Sequence, residues 1–323
     1  MPAARTHPAR RHGFVWSTSA GVVSLLLSAC SGSHHSASAA TSASVVSSPA
    51  ASTASASGPP SALASSVAPA SSPPAVSAVA SPNSASPTSS PSPVDLSTVG
   101  PIILVPGYGG SDTMLETLAN RLHSAGRTTI LLTLPDDATG DLNVQAGILA
   151  ARVTEALNAG APSVDLVGYS AGGIVIGLFV AAHPKDVRQV VTIGSPLHGT
   201  EIAALAVTLN VSSSVCPIAC RQMAPGSSVL ASLDAAEPAH TGVPWTSMWT
   251  TDDQVVLPPD SARFTGATNI VLQDVCADDT ANHLNLPADP LVAGLTLRAL
   301  DTSNAGSPSA SDCSNLRALG TGT

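Results

Sequence analysis

Val164-Asp165-Leu166-Val167-Gly168-Tyr169-Ser170-Ala171-Gly172-Gly173-Ile174-Val175-Ile176 is the stretch that decides the fold. Strand formers enter it, a Gly-x-Ser-x-Gly string turns it, and small and apolar residues leave it. This is the pattern of a nucleophile elbow, in which Ser170 caps a tight strand-to-helix turn with its hydroxyl pushed into a cleft. Gly168 and Gly172 are required because a Cβ at either position would meet the crossing strand and helix. A helix beginning at Ala171 aims its free backbone N–H groups at the same spot, where negative charge can be held. A Gly- and Ser-rich chain can produce such a string by chance, but strand and helix signals in the right places on both sides argue against it.

Outward from the elbow, strand and helix signals alternate. Pro101-Ile102-Ile103-Leu104-Val105 is a continuous apolar run, as for a strand buried on both faces of a parallel sheet. It ends in the flexible Pro106-Gly107-Tyr108-Gly109-Gly110. The spacing of Met114, Leu115, Leu118 and Leu122 predicts a helix over residues 112–124, closed by Gly126. A strand is expected over 129–134 and a long helix over 141–159, with Leu142, Ile148, Leu149, Val153 and Leu157 on one face and Gly160 as its stop. Beyond the elbow helix, a strand is expected over 188–193. Strand–helix alternation of this kind predicts an α/β chain with a mostly parallel, right-handed wound sheet and helices on both faces. Over residues 199–243 the pattern blurs into Cys-, Pro- and Ser-rich turns, read as an excursion flanking the cleft. Strands return at 245–250 and 269–273, a closing helix at 289–300, and the final residues read as a polar, loop-like tail held by Cys313.

The 323 residues are not of one kind. From Ser31 to Pro93 there is no Asp, Glu, Lys or Arg. Such a stretch cannot offset its ordering entropy by burial and reads as a disordered tether. All 21 acidic residues lie from Asp95 onward with nine of the twelve basic ones, a balance of −12. An acidic domain whose one lysine is Lys185 argues against nucleic acid and anionic membrane surfaces as partners. The N-terminus reads as an export signal: Arg5, Arg10 and Arg11 precede an apolar core over 14–27 that is too short to span a bilayer permanently. It ends in Leu27-Ser28-Ala29-Cys30, which resembles a bacterial lipobox. That resemblance implies lipidation of Cys30 and a cell-surface lipoprotein, the alternative being ordinary secretion after cleavage near Ala29. The expected organisation is therefore a signal peptide over 1–30, a linker over 31–98, one folded domain over 99–302 and a tail over 303–323.

Cysteine arithmetic agrees. Setting Cys30 aside leaves Cys216, Cys220, Cys276 and Cys313, an even number suited to two disulfides in an exported domain. Three connectivities are possible. Because Cys216 and Cys220 enclose only Pro-Ile-Ala in a loop-like stretch, 216–220 with 276–313 is the expected pairing.

A serine hydroxyl becomes a nucleophile when a histidine takes its proton and a carboxylate fixes that histidine's tautomer. Behind an elbow of this kind the chain order is Ser, acid, His. Only His198, His240 and His283 follow Ser170, and the turn after the 245–250 strand offers Asp252 and Asp253 as acids. Of the three histidines only His283 follows either acid. Asp253 is preferred because Asp253-Gln254-Val255-Val256-Leu257-Pro258 resembles the acid turn common in such hydrolases, which leaves Asp252 as a turn-capping residue.

Three separated motifs now agree. Gly168-Tyr169-Ser170-Ala171-Gly172-Gly173, Ile193-Gly194-Ser195-Pro196-Leu197-His198-Gly199-Thr200 and Thr250-Thr251-Asp252-Asp253-Gln254-Val255-Val256 together resemble the small bacterial extracellular triacylglycerol lipases. The resemblance implies an α/β-hydrolase fold and carboxylic-ester hydrolysis by a Ser170–Asp253–His283 triad. It also implies an oxyanion hole formed by the backbone N–H groups of Tyr108 and Ala171, and a structural role for His198. Where that family usually has His-Gly before the oxyanion loop, this chain has Pro106-Gly107, a version also found in some fungal lipases. No metal cluster or Gly-rich phosphate loop of suitable spacing is present in the sequence, so no cofactor and no metal are expected. The expected partner is an ester or lipid substrate, with membrane contact only through the N-terminal lipid anchor, and the chain is expected to be a monomer. The competing readings are an acyltransferase using the same acyl-enzyme and a catalytically inactive binding lipoprotein.

Overall fold

The structure, a computed structural model, describes residues 94–110, 112–301 and 307–322. The expected signal peptide over 1–30, the lipidation site Cys30 and the linker up to residue 93 lie outside the described residues. Each apolar run becomes a strand: β1 (Ile102–Val105), β2 (Thr129–Leu131), β3 (Val164–Tyr169), β4 (Val187–Ile193), β5 (Trp245–Trp249) and β6 (Thr268–Val271). Among the described residues these make one sheet in the order β2-β1-β3-β4-β5-β6, with every neighbouring pair parallel. The helices that follow in chain order are α1 (Glu116–Ser124), α2 (Leu142–Asn158), α3 (Ala171–Ala182), α4 (Glu201–Thr208), α5 (Ile218–Gln222), α6 (Ser228–Ala231), α7 (Pro238–Thr241), α8 (Leu272–Val275), α9 (Pro290–Leu300) and α10 (Cys313–Thr321). None of the described helices is long and apolar enough to cross a membrane.

The strands read as continuous apolar runs because both faces of the sheet are covered. Ile103 and Val105 of β1 pack with Leu166 of β3 against the layer of α2 and α3, where Leu149, Val153, Ile174 and Phe179 meet them. Ile102, Leu104 and Val167 turn to the opposite layer, against Leu118 and Leu122 of α1 and Leu291 and Leu295 of α9. Each such side chain contributes about 1.5–3 kcal/mol on burial. Asp141 caps α2 by accepting from Asn143 N, and Asp289 caps α9 by accepting from Leu291 N and Val292 N.

A charged cluster is buried at the start of β3. Asp165 at the start of β3 has no solvent exposure and is clasped by the guanidinium groups of Arg127 and Arg188. Arg188, only 4% exposed, also donates to the Leu300 carbonyl at 2.9 Å. At about 3.3 Å of rise per strand residue, this cluster lies about 16 Å from Ser170, toward the opposite end of β3.

Several expectations meet a different outcome. The strand expected over 269–273 ends at Val271, and Leu272–Val275 turns into α8. The blurred stretch over 199–243 is largely helical; α4 to α7 are too short for their periodicity to show. Residues 94–98, assigned to the linker, belong to the folded domain: Asp95 N donates to Pro162 O at 2.7 Å, and Ser163 Oγ donates to Thr98 O at 2.6 Å.

The tail read as loop-like is the helix α10, packed on α9. Leu316 enters the core beside α9, but much of the docking is close backbone approach, which leaves little hydrophobic pattern to read. A Cβ on Gly294 would lie 1.9 Å from Leu316 O, and one on Gly320 would lie 1.8 Å from Pro290 O. Gly320→Ala should therefore cost about 1–3 kcal/mol and several degrees of Tm. Gly147→Ala, where nothing lies within 4 Å of the new methyl, should be neutral or mildly stabilising. Thermal melts of the two variants check this; equal melting temperatures would contradict it.

The structure bonds Cys216 to Cys220 and Cys276 to Cys313. The second bond spans 37 positions and encloses His283 together with α9. In the chain-entropy picture a loop of that length is worth about 3–4 kcal/mol.

Candidate active site

β3 runs into Ser170, whose φ of 53° and ψ of −128° put a non-glycine residue where L side chains rarely sit. Such a conformation costs about 1–3 kcal/mol and persists only where its surroundings fix it. Here Ser170 N donates to Ile193 O at 2.9 Å. The glycines make the turn possible: a Cβ on Gly168 would lie 2.7 Å from Gly173 N, and one on Gly172 2.3 Å from Val105 O. Gly107 is a third close approach, since a Cβ there would be 2.7 Å from that of Ser170. The Pro106-Gly107 loop thus lies against the serine. Tyr108 follows it, packed on the α2 and α3 layer, with its phenol pKa raised by burial. Ala171 opens α3, where backbone N–H groups have no partner within the helix.

His283 Nε2 lies 3.0 Å from Ser170 Oγ, and His283 Nδ1 lies 2.7 Å from Asp253 Oδ2. Ser170, Asp253 and His283 are 8%, 4% and 4% exposed, so this line of hydrogen bonds is largely shielded from water. Asp253 stands in the loop after β5. Its Oδ1 accepts from Val255 N at 2.9 Å and Val256 N at 2.8 Å, leaving Oδ2 for the imidazole. Asp252 is exposed at the turn, with its N–H on Thr250 Oγ1. The structure therefore brings together Ser170, Asp253 and His283 and leaves Asp252 aside. The other histidines beyond the elbow point elsewhere: His198 Nδ1 lies 3.1 Å from Ser261 O, and His240 Nδ1 lies 2.7 Å from Asp234 O.

Two residues of this site stand in the Ile193–Thr200 motif, but their roles escape a reading of the sequence. Gly194 has a φ of 54°, and a Cβ on it would lie 2.7 Å from Leu286, 3.4 Å from His283 Nδ1 and 3.5 Å from Asp253 Oδ2. A glycine directly after a strand end was the available signal. Thr200 pins the acid loop by donating to Val255 O at 2.9 Å and accepting from Leu257 N at 3.1 Å; it closes the Ile193–Thr200 motif, whose sequence carries no sign of these bonds. Ile202 and Leu205 of α4, Val255 and Leu284 are exposed.

The loop that carries His283 is tied at several points. Arg317 of α10 reaches Asp278 at 3.0 Å and Asp279 at 3.2 Å, and Arg121 donates to Ala288 O at 2.6 Å. Asp279 Oδ1 accepts from Ala281 N at 3.1 Å. Cys276, Asp278 and Cys313 cluster closely enough to suggest a metal site, but the two sulfurs are bonded to each other, so one carboxylate remains to offer. Asp289 ends the loop, and burial, with the nearby Asp279 charge, raises its pKa above the ordinary value. An acid raised in the folded state contributes stability below its unfolded pKa, and that contribution is lost as pH rises through the folded one. Asp289→Asn keeps the capping oxygen and removes the charge, so relative to the parent its Tm should be higher at pH 7 than at pH 3. Paired melts test the sign, and an Asn variant that gains at acid pH instead would contradict it.

No family model matches the chain. Over 128 residues it is 32% identical to a triacylglycerol lipase of Burkholderia plantarii, covering 37% of this chain and 36% of that one. Over 111 residues it is 33% identical to a triacylglycerol lipase of Pseudarthrobacter phenanthrenivorans, covering 32% and 35%. The matched stretch thus spans about a third of the length of these curated relatives. Among solved structures it superposes on Aspergillus fumigatus lipase B with a TM-score of 0.52 at 20% identity, over 69% of this chain and 61% of that one. It also superposes on the mature Bacillus licheniformis lipase BlEst2 with a TM-score of 0.52 at 21% identity, over 67% and 96%. The fold is the α/β-hydrolase fold, as the motif resemblance implied, and the chain is similar to bacterial proteins named triacylglycerol lipase.

Proposed function

We propose that this chain is a serine carboxylic-ester hydrolase, a lipase or esterase that cleaves lipid or acyl esters through an acyl-enzyme. The observation that carries the reading is the buried line from Ser170 Oγ through His283 to Asp253, at 3.0 and 2.7 Å. His283 Nε2 takes the hydroxyl proton as Ser170 Oγ attacks the ester carbonyl, and Asp253 stabilises the imidazolium. The tetrahedral oxyanion is held by the N–H groups of Ala171 and Tyr108, each such donor contributing about 3–4 kcal/mol. His283 then protonates the departing alcohol. Water repeats the sequence on the acyl-enzyme, its proton passing to His283 and its oxygen to the acyl carbon, and the acid leaves with Ser170 restored. Every proton and nucleophile in this cycle comes from the chain, the ester or water.

Export is part of the same proposal. A signal peptide over 1–30 with Cys30 as lipid anchor, a tether over 31–93 and an enzyme domain bearing two disulfides suit an oxidising compartment outside the cytoplasm. The test of function is turnover of p-nitrophenyl esters and emulsified glycerides from butyrate to oleate, with and without an alcohol acceptor. Free acid as the main product supports hydrolysis. Predominant transfer to the alcohol would make the chain an acyltransferase, and no turnover on any ester would favour a binding protein.

A further inference from the structure

We infer that Tyr169 is a positioning residue for the base, holding the main chain of His283 through its phenol while its own main chain carries Ser170. The inference rests on the reading of Ser170 and His283 as nucleophile and base. Tyr169 is the last residue of β3 and only 2% exposed. Its hydroxyl donates to the His283 carbonyl at 2.9 Å, across 114 positions of sequence, and its ring centre lies 5.2 Å from that of the imidazole at a 34° tilt. Burial, followed by the nearby Asp253 charge, raises its pKa far above the ordinary phenol value, so it remains a donor at every working pH.

The geometry explains why this bond has consequences for chemistry. The imidazole is held at both nitrogens, by Asp253 and by Ser170, and its loop is tied on either side at Asp278, Asp279 and Ala288. The Tyr169 hydroxyl fixes the peptide from which the ring hangs. β3 lies between β1 and β4 inside the sheet, and Tyr169 pairs with Ile193 there. The phenol therefore stands on a rigid base. Because the next residue is Ser170, one peptide link separates the group that holds the base from the group that bears the nucleophile. Movement of the strand end carries both, which keeps Oγ and Nε2 in register. Proton transfer depends steeply on that distance, and misplacement by about 1 Å can cost on the order of a hundredfold.

Tyr169→Phe in the full chain keeps the ring and removes only this bond. The expected result on a soluble p-nitrophenyl ester is a fall in kcat of about tenfold, with KM within about twofold of the parent. Fluorophosphonate inactivation should slow in the same ratio, and Tm should move by only a few degrees. The low-field proton signal of the His283–Asp253 hydrogen bond should broaden at temperatures where the parent's is sharp, a readout that needs no turnover. The inference is overturned by a Phe variant whose kcat is within twofold of the parent. It is overturned too by a loss that matches the unfolded fraction, by a KM effect alone, or by a low-field signal that stays sharp. A parent inert toward every ester would instead defeat the catalytic reading, and the low-field signal would still decide whether Tyr169 positions the imidazole.

Discussion

Replacing Ser170 by alanine, or His283 by alanine, should lower kcat for ester hydrolysis by about 10⁵–10⁶-fold, with far-UV spectra and Tm close to the parent. Asp253→Asn should cost about 10⁴-fold, and its reason lies in the hydrogen bonds around the carboxylate. Oδ1 accepts from Val255 N and Val256 N, so the carbonyl oxygen of an asparagine will take that side. Its NH₂ group then faces His283 Nδ1, 2.7 Å from the Oδ2 it replaces, and donates where the carboxylate accepted. That fixes the tautomer with a proton on Nε2, which cannot accept one from Ser170. Asp252→Asn, at an exposed turn position, should stay within about twofold of the parent. If Asp252→Asn proves the more damaging of the two, the acid has been misassigned.

The second large effect is on stability and lies at the other end of β3. Asp165→Asn leaves Arg188 buried beside a neutral partner, and breaking such a pair costs about 3–5 kcal/mol. Net stability is only about 5–15 kcal/mol, so Tm should fall by roughly ten degrees. A double replacement by apolar residues of similar volume, Asp165→Leu with Arg188→Met, should recover part of the loss, because the deeply buried Arg188 is no longer stranded, while the more exposed Arg127 keeps its bond to the Gly100 carbonyl. Turnover of the folded protein at low temperature should be unaffected, since Asp165 is about 16 Å from Ser170. A single Asn variant that melts within two degrees of the parent would show that the cluster contributes little.

What could be read from the sequence followed from chemistry that is local in the chain. Gly168, Gly172 and Ser170 sit within five positions and need one another, so the elbow is visible before any fold is known. Ile102 to Val105 is apolar at every position because both faces are buried, which identifies an inner strand directly. His283 was reachable because topology orders the acid before the histidine, and Asp253 was preferred over Asp252 because its turn resembles the acid turn of such hydrolases. What escaped depends on contacts between distant residues. α10 is held largely by backbone approach at Gly294 and Gly320, a contact with no hydrophobic signature. Asp165 sits near the start of an apolar strand, and its partners come from 38 positions before and 23 after. Tyr169 fills the variable position of the elbow motif, where its ring reads as core and the reach of its hydroxyl to His283 O cannot be seen.

The proposed chemistry requires Ser170 to be the activated nucleophile. The most direct measurement is the rate and site of reaction of the full chain with a fluorophosphonate, read by intact mass and peptide mapping. The expected result is one adduct per chain, on the peptide bearing Ser170, accompanied by complete loss of esterase activity and slowed at least about a thousandfold in His283→Ala. An adduct on another residue, or ester hydrolysis that continues with Ser170 fully blocked, would contradict it.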